Sequence, residues 1–290
     1  MANAAIDGRI TAPAKVNLAL HVTGRRDDGY HLLDSLVVFT SRIADELTIE
    51  EAPDDHFIVD GPFAPGVPTD GRNIVLKALA LARGQAAFCG LTIPPLRISL
   101  TKNLPHAAGI GGGSADAAAL LRFLGSINPD LALRLSSNAA SLGADVPMCL
   151  TGAPCLARGI GDELTEAPIG DLPPMVLINP GRPIETPAVF RALRNRDNAG
   201  LPPFPAGGPP QPDQLISWLR ETRNDLQETA NSLEPAIADA LSSLDEHDAV
   251  LSRMSGSGAT VFGLFEDRAK AEQCAGSVRA AQPGWWIATA

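Results

Sequence analysis

Pro105-His-Ala-Ala-Gly109-Ile-Gly111-Gly112-Gly113-Ser114-Ala115-Asp116-Ala-Ala-Ala119-Leu-Leu121 sets four glycines and a serine directly ahead of a strong helix-forming run. Glycine lets backbone N–H groups turn inward with no Cβ in the way. The unpaired amides and positive dipole end of the following helix attract an anion. The stretch reads as a phosphate loop, with Ser114 and Asp116 suited to the helix's first turn and Ala117 to Leu121 propagating it. A flexible linker is the competing interpretation. It sits poorly between the alternating strand Leu96-Arg-Ile98-Ser-Leu100 and an alanine-rich helix.

Two familiar phosphate motifs do not fit. A P-loop needs G-x-x-x-x-G-K-[ST], and Gly113 is followed by Ser114 with no lysine. A Rossmann fingerprint wants glycine at 109, 111 and 114, but position 114 is serine. The segment around Asp130 is also not a second strand ending in a ribose-binding acid.

With 290 residues, 45% of them hydrophobic, the chain can bury a large core and reads as two domains. Its net charge of −10 argues against an extended nucleic-acid surface and against a polybasic membrane contact. A phosphate ligand must then be held by local groups against the global field. Lys15, Lys102, Arg158 and the helix terminus are the candidates. The four cysteines, Cys89, Cys149, Cys155 and Cys274, form no C-x-x-C pair and no metal spacing, so they read as buried thiols in a reducing compartment. The N-terminus lacks a continuous apolar segment, and no stretch approaches the roughly eighteen apolar residues of a membrane span. A soluble, cytoplasmic protein is expected, and the sequence leaves its oligomeric state unknown.

In Lys15-Val-Asn17-Leu-Ala19-Leu-His21-Val22 the even positions form one apolar face, which places Lys15 and Asn17 together on the other, as if lining a cleft. Further strands are expected at Ser35 to Thr40, Glu46 to Glu50 and His56 to Asp60, then a helix capped by Asn73 and running Ile74 to Arg83. A helix near Leu131 to Leu142 leads into Gly143-Ala-Asp145-Val-Pro147. Because Pro147 disfavours helix at Val146, Asp145 is expected on the turn after that helix.

Glycines and prolines between residues 160 and 172 mark a domain boundary. Beyond it, Met175 to Asn179 reads as a strand, Thr186-Pro187 as an N-cap with proline at the first helical position, and Phe190 falls in the ensuing turn. Gly200 to Pro212 is expected as a mobile surface loop. Helices at Asp213 to Arg220 and Pro235 to Leu244, strands at Ala249 to Met254 and Thr260 to Phe265, a helix from Asp267 to Ala281 and a strand at Trp285 to Thr289 complete a ferredoxin-like α+β order. Met254-Ser-Gly256-Ser257-Gly258-Ala259 reads either as a plain hairpin connection or as a second set of amides closing over a ligand.

Pro13-Ala-Lys15-Val-Asn17-Leu, Pro105 to Ala119 and Ser255-Gly-Ser-Gly258-Ala, in this order and spacing, resemble the three signature motifs of the GHMP small-molecule kinases. Within that family, Asp28-Gly29-Tyr30-His31-Leu32-Leu33 and Leu142-Gly-Ala-Asp145-Val-Pro147 resemble the members that phosphorylate a cytidine-diphosphate-linked methylerythritol on the non-mevalonate route to isoprenoids. The match covers nearly the whole chain. It implies an α+β, two-domain fold: an N-terminal S5-like α/β nucleotide-binding domain over 1–165 and a C-terminal ferredoxin-like domain over 166–290, with ATP and substrate meeting in the cleft.

The resemblance implies transfer of the γ-phosphoryl of ATP, accompanied by Mg2+, to the 2-hydroxyl of a small-molecule cytidine diphosphate substrate. It makes Asp145 the catalytic acidic residue and Lys15 its partner. Pro105, His106, Ala107, Ala108, Gly109, Ile110, Gly111, Gly112, Gly113, Ser114 and Ala115 would wrap the nucleotide phosphates, with Lys102 and Asn73 on the adenosine side. Asn17, Tyr30, His31, Thr186 and Phe190 would line the substrate pocket, Tyr30 and Phe190 being available to stack on cytosine. One departure stands out: the family loop commonly carries a second serine where this chain has Ala115, so a hydroxyl contact is lost there while the backbone N–H remains.

These residue types suit phosphoryl transfer, in which positioning and charge stabilisation outweigh strong base catalysis. A carboxylate is a weak base toward an alcohol, so Asp145 would orient the hydroxyl and collect its proton late. Lys15 would stabilise negative charge on the attacking oxygen or the phosphoryl group. Mg2+ keeps several waters and needs few protein ligands, so no metal-ligating residue is nominated, although the Ser114 hydroxyl is close enough in sequence to approach the ion. Taken singly, Lys15 reads more readily as a solvated strand lysine, Asp145 as a helix-ending cap and His31 as a surface histidine, readings that the motifs in combination outweigh, and Arg25 and Arg26 flank an exposed turn. Two other functions remain open: a GHMP kinase for homoserine or mevalonate-type substrates, and a non-catalytic ATP-binding regulator.

Overall fold

Two long strands, β1 (Asp7–Arg25) and β2 (His31–Glu51), begin the chain and pair with each other. The computed structural model describes residues 6–290. The separate short strands expected at 35–40 and 46–50 are one continuous β2. On the polar face of β1, Lys15, Asn17 and His21 are all buried. Their polar groups find protein partners, which permits burial of both strand faces. The chain divides into two compact units, each assembled from three segments.

The first unit comprises the described residues through Ala14, Ala44–His106 and Gly111–Gly152. In it, β3 (His56–Asp60) runs parallel to β4 (Leu96–Thr101), which pairs antiparallel with Glu46–Glu51 of β2. Leu96, Ile98 and Leu100 are buried and alternate with more exposed residues, the period-2 signature the sequence carries. Helix α1 (Ile74–Phe88) starts at Asn73, whose Oδ1 accepts from Val75 N at 2.8 Å, a cap worth about 1 kcal/mol. Helix α2 (Gly112–Gly125) is buried continuously from Ala115 to Leu121, because its alanines admit close approach by α1, α3 (Pro129–Asn138) and α4 (Val146–Thr151). Asp145 lies on the turn that follows α3, as expected, but Val146 after it is helical, being the first residue of α4. Asp145 is the N-cap of α4, and Pro147 lies within the first helical turn, where no backbone donor is needed.

The second unit comprises Lys15–Ile43, Ala107–Ile110 and Ala153–Ala290. Leu33–Val37 of β2 pairs antiparallel with β5 (Cys155–Gly159), and β5 with β6 (Glu163–Glu166). A separate antiparallel sheet has the order β10-β7-β9-β8, from β7 (Met175–Asn179), β8 (Leu251–Met254), β9 (Val261–Leu264) and β10 (Trp286–Thr289). Counted along the chain this is 4-1-3-2, the ferredoxin-like arrangement, with α8 (Ala236–Asp245) and α9 (Arg268–Ala281) packed on its strands. Three more helices, α5 (Thr186–Ala192), α6 (Pro212–Arg220) and α7 (Gln227–Leu233), lie between β7 and α8.

Helix α7 escapes sequence reading because Ala230 is its one buried residue, leaving no apolar stripe to detect. Thr186 is the first helical residue of α5 and Glu185 its N-cap, one position earlier than expected. The loop expected to be mobile is anchored: Trp218 Nε1 donates to Pro203 O at 3.0 Å, Phe204 stacks edge-on against Trp218, and Leu201 N donates to Asp34. The four cysteines are free thiols, three of them buried. Among the described residues no helix is long and apolar enough to cross a membrane.

Candidate active site

In the second unit the three glycine- and lysine-bearing motifs are stitched together by hydrogen bonds. Lys15 Nζ donates to Asn17 Oδ1 at 2.6 Å, and Asn17 Nδ2 donates to Ser35 Oγ at 2.8 Å. Asn17 N donates to Ser255 Oγ at 3.1 Å, and that hydroxyl donates on to Gly109 O at 3.0 Å. Two backbone bonds complete the junction, Lys15 N to Ile110 O at 3.0 Å and Thr260 N to Ala108 O at 3.1 Å. The β8–β9 turn is therefore more than a hairpin connection. Asn224 Nδ2 fixes it from below by donating to Met254 O and Gly256 O at 2.7 and 2.8 Å.

Gly109 and Gly256 are required at this junction. Gly109 has φ of 73°, and a Cβ there would lie 2.3 Å from Ser255 O; Gly256 has φ of 57°, and its Cβ would lie 2.8 Å from Gly109 O. Gly109→Ala is therefore expected to separate the strand lysine from the glycine turn and to lower Tm by several degrees, read by calorimetry. An unchanged Tm would show that the junction tolerates a methyl group.

Lys15 Nζ lies beside a carbonyl-type oxygen that orients it, on a strand held along its length. Thr186 Oγ1 sits 2.6 Å from Ser257 Oγ, so α5 also reaches the glycine turn. His31 stacks on Phe190 with centroids 4.8 Å apart and planes at 26°. Burial, with the Arg196 and Arg25 cations adding to it, holds the His31 imidazole below its ordinary pKa. Its Nε2 is buried with no hydrogen-bond partner. Tyr30 next to it is exposed. Arg158, a candidate phosphate ligand, is paired with Asp34 at 3.2 Å.

In the first unit the loop ends in an amide-rich helix start. Gly111, at φ 66°, is the N-cap of α2, so Gly112, Gly113 and Ser114 supply the first-turn N–H groups that lack intrahelical acceptors. Ala115 N is already committed to Gly111 O at 2.9 Å, so its amide belongs to the helix. Pro105 is buried and His106 exposed at the loop's entrance. Asn73 uses its whole side chain locally, capping α1 and donating from Nδ2 to Pro68 O at 2.7 Å. Asp145, half-buried, makes no capping hydrogen bond to α4 with its side chain.

Lys102 is buried, and its Nζ contacts both Asp45 Oδ2 and, at 2.7 Å, Asp116 Oδ2. Burial pushes the Asp116 carboxyl up to about 8 against the pull of Lys102, with the Asp45 carboxylate adding to the rise. Burial pulls the Lys102 ammonium down, and the two carboxylates more than compensate, raising it. Sequence reasoning missed Asp45, Ser35 and Asn224. Each acts across a long separation, and for Ser35 and Asp45 a polar residue on an apolar strand is the one available signal.

The N-terminal domain model of the GHMP kinases matches residues 73–153, and the GHMP kinase C-terminal model matches residues 207–284. The 4-diphosphocytidyl-2-C-methyl-D-erythritol kinase of Mesorhizobium japonicum is 52% identical over 280 residues, 96% of this chain and 93% of its own. The chain belongs to the GHMP kinase family. It is an ATP-dependent small-molecule kinase with the family's two-domain fold. Among solved GHMP kinases, a 4-(cytidine 5'-diphospho)-2C-methyl-D-erythritol kinase superposes with a TM-score of 0.79 at 33% identity, covering 97% of this chain and 98% of that one. A homoserine kinase from Cytophaga hutchinsonii shares the fold at a TM-score of 0.68 and 16% identity, covering 98% and 94%.

Proposed function

We propose that this GHMP kinase phosphorylates the 2-hydroxyl of 4-diphosphocytidyl-2-C-methyl-D-erythritol with ATP, giving the 2-phosphate and ADP, in the cytoplasm and on the non-mevalonate route to isoprenoids. The observation that carries this reading is the hydrogen-bonded junction of Lys15, Asn17, Gly109 and Ser255, in a chain about half identical to a relative of that name. The division into a nucleotide-binding region over 1–165 and a ferredoxin-like region over 166–290 belongs to the same proposal.

The substrate hydroxyl oxygen attacks the γ-phosphorus, the new O–P bond forms as the bond to the β,γ-bridging oxygen breaks, and ADP leaves with that electron pair. Asp145 orients the hydroxyl and takes its proton as the bond forms. Lys15, aimed by Asn17 Oδ1, offsets the negative charge that develops on the transferring group. The first-turn amides of α2 bind phosphate oxygens, as a helix N-terminus does.

Mg2+ carried with ATP neutralises charge on the β- and γ-phosphates when bound. Among the described residues no group of three His, Cys, Asp or Glu side chains is placed to hold an ion. Phosphate oxygens, water and the Ser114 hydroxyl would hold such an ion, which keeps several waters. Phe190 and Tyr30 stack on the cytosine, His31 reads its edge, and Thr186 and Asn17 line the sugar side.

A coupled ADP-release assay tests the assignment across the cytidine-diphosphate-linked alcohol, homoserine and mevalonate. The first is expected to turn over with kcat/KM at least about 10³ above the others, since their missing nucleotide leaves buried polar groups unpaired. Preference for homoserine or mevalonate would overturn the substrate and keep the kinase.

A further inference from the structure

We propose that Lys102, clamped between Asp45 and Asp116, is a positioning residue that sets the geometry of the phosphate loop and is not itself a ligand of the nucleotide. This rests on the assignment of residues 105–115 as the ATP phosphate loop.

The cluster holds the chain on both sides of that loop. On the entry side, Asp45 Oδ1 accepts from Asn103 N at 2.6 Å and Leu104 N at 2.9 Å, the two residues immediately ahead of Pro105. Lys102 itself is fixed in the backbone by its N donating to Asp60 O at 2.8 Å and by Phe63 N donating to its O at 3.1 Å. On the exit side, Asp116 is the fifth residue of α2, the helix whose first turn carries the candidate phosphate amides. Lys102 Nζ joins the two sides by contacting Asp45 Oδ2 and Asp116 Oδ2 together.

Gly112, the first helical residue after the loop, rests directly against this cluster. A Cβ built on it would lie 3.5 Å from Lys102 Nζ and 3.6 Å from Asp45 Oδ2. A displacement of the ammonium therefore passes to the residue whose amide opens the helix.

A stability role accounts poorly for the arrangement. One ammonium faces two carboxyl groups, all three side chains are almost wholly buried, and Asp116 Oδ1 has no hydrogen-bond partner. Buried ion clusters with incomplete hydrogen bonding recover little of their desolvation cost, and apolar replacements often match them in stability. What the cluster does supply is a fixed distance between strand end and helix start. A Lys102 whose ammonium is spent on two aspartates is also a poor ligand for a phosphate or an adenine.

The test uses the full-length enzyme with Asp116→Asn, Lys102→Met and the double variant, measuring KM for ATP and kcat at saturating alcohol substrate, with Tm as the check on folding. Each single variant is expected to raise the ATP KM by about 10-fold while kcat changes by less than about 3-fold, the split of a lost ground-state binding geometry. The double variant is expected to be no worse than the poorer single one, since residues that act as a unit are not additive. An ATP KM unchanged in a folded Asp116→Asn variant would overturn the proposal. Multiplying KM effects in the double variant would also overturn it, because Lys102 would then be touching ATP independently. If Lys102→Met does not fold, the isosteric Asp116→Asn variant decides alone. Gly112→Val separates the underlying assignment: its Cβ has ordinary room in the fold, so a wild-type ATP Kd in that variant would remove the loop from phosphate binding altogether.

Discussion

Asp145→Asn is expected to lower kcat by about 10² or more, the low end for a positioned proton acceptor, with Tm and ATP affinity close to wild type. The separation of effects follows from where the residue sits. Asp145 is the N-cap of α4 by position, but its side chain makes no capping bond to that helix, so the amide removes no cap. Asparagine has nearly the same volume and is itself a good N-cap residue. The carboxamide can still accept a hydrogen bond from the substrate hydroxyl, so it retains part of the orienting role. It cannot take the proton. The loss should therefore appear in kcat and equally in kcat/KM, as expected for an interaction realised only in the transition state. Steady-state kinetics with calorimetric ATP titration and a melting curve provide all three readouts. Wild-type turnover in a variant that melts normally would remove Asp145 from the chemical step.

The phosphate-loop helix was legible because it is written locally: glycines, then alanines and leucines over a stretch whose burial is nearly continuous. The alternation in Leu96–Thr101 and the Asn73 cap were legible for the same reason. The ferredoxin-like strand order followed from strong apolar strands between capped helices, and the sheet order β10-β7-β9-β8 agrees. What stayed hidden depends on partners far along the chain. Asn17 and Ser255 are 238 residues apart, and nothing near either marks the bond between them. Alternation places Lys15 and Asn17 on one polar face, but it cannot foresee a serine hydroxyl and a neighbouring amide satisfying that face internally. Strands β5 and β6 and helix α7 carry too few buried apolar residues to show any period.

Replacing cytidine by uridine in the diphospho-methylerythritol substrate is expected to lower kcat/KM by about 10² or more, because a site that hydrogen-bonds a base edge leaves a buried group unpaired when the wrong edge enters. In the proposed site His31 would supply that group. Its Nε2 is buried without a partner, and its ring plane is fixed against Phe190. Burial and the nearby arginine cations hold the imidazole below its ordinary pKa, so the neutral ring is favoured at pH 7 and its Nε2 donates in one tautomer and accepts in the other. Cytosine and uracil exchange donor for acceptor at the exocyclic position and at N3, so a single tautomer satisfies one base and opposes the other. His31→Ala removes the discriminating atom and should narrow the gap between the two substrates, chiefly by weakening the cytidine compound. Phe190→Ala acts differently. Stacking does not depend on the edge, so both substrates should weaken together by roughly 1–3 kcal/mol, the scale of base–aromatic contacts. The measurement is kcat/KM for both compounds in wild type and the two variants. Equal values in wild type would sink cytosine recognition by this pocket, and a gap that survives His31→Ala intact would assign the discrimination to another residue.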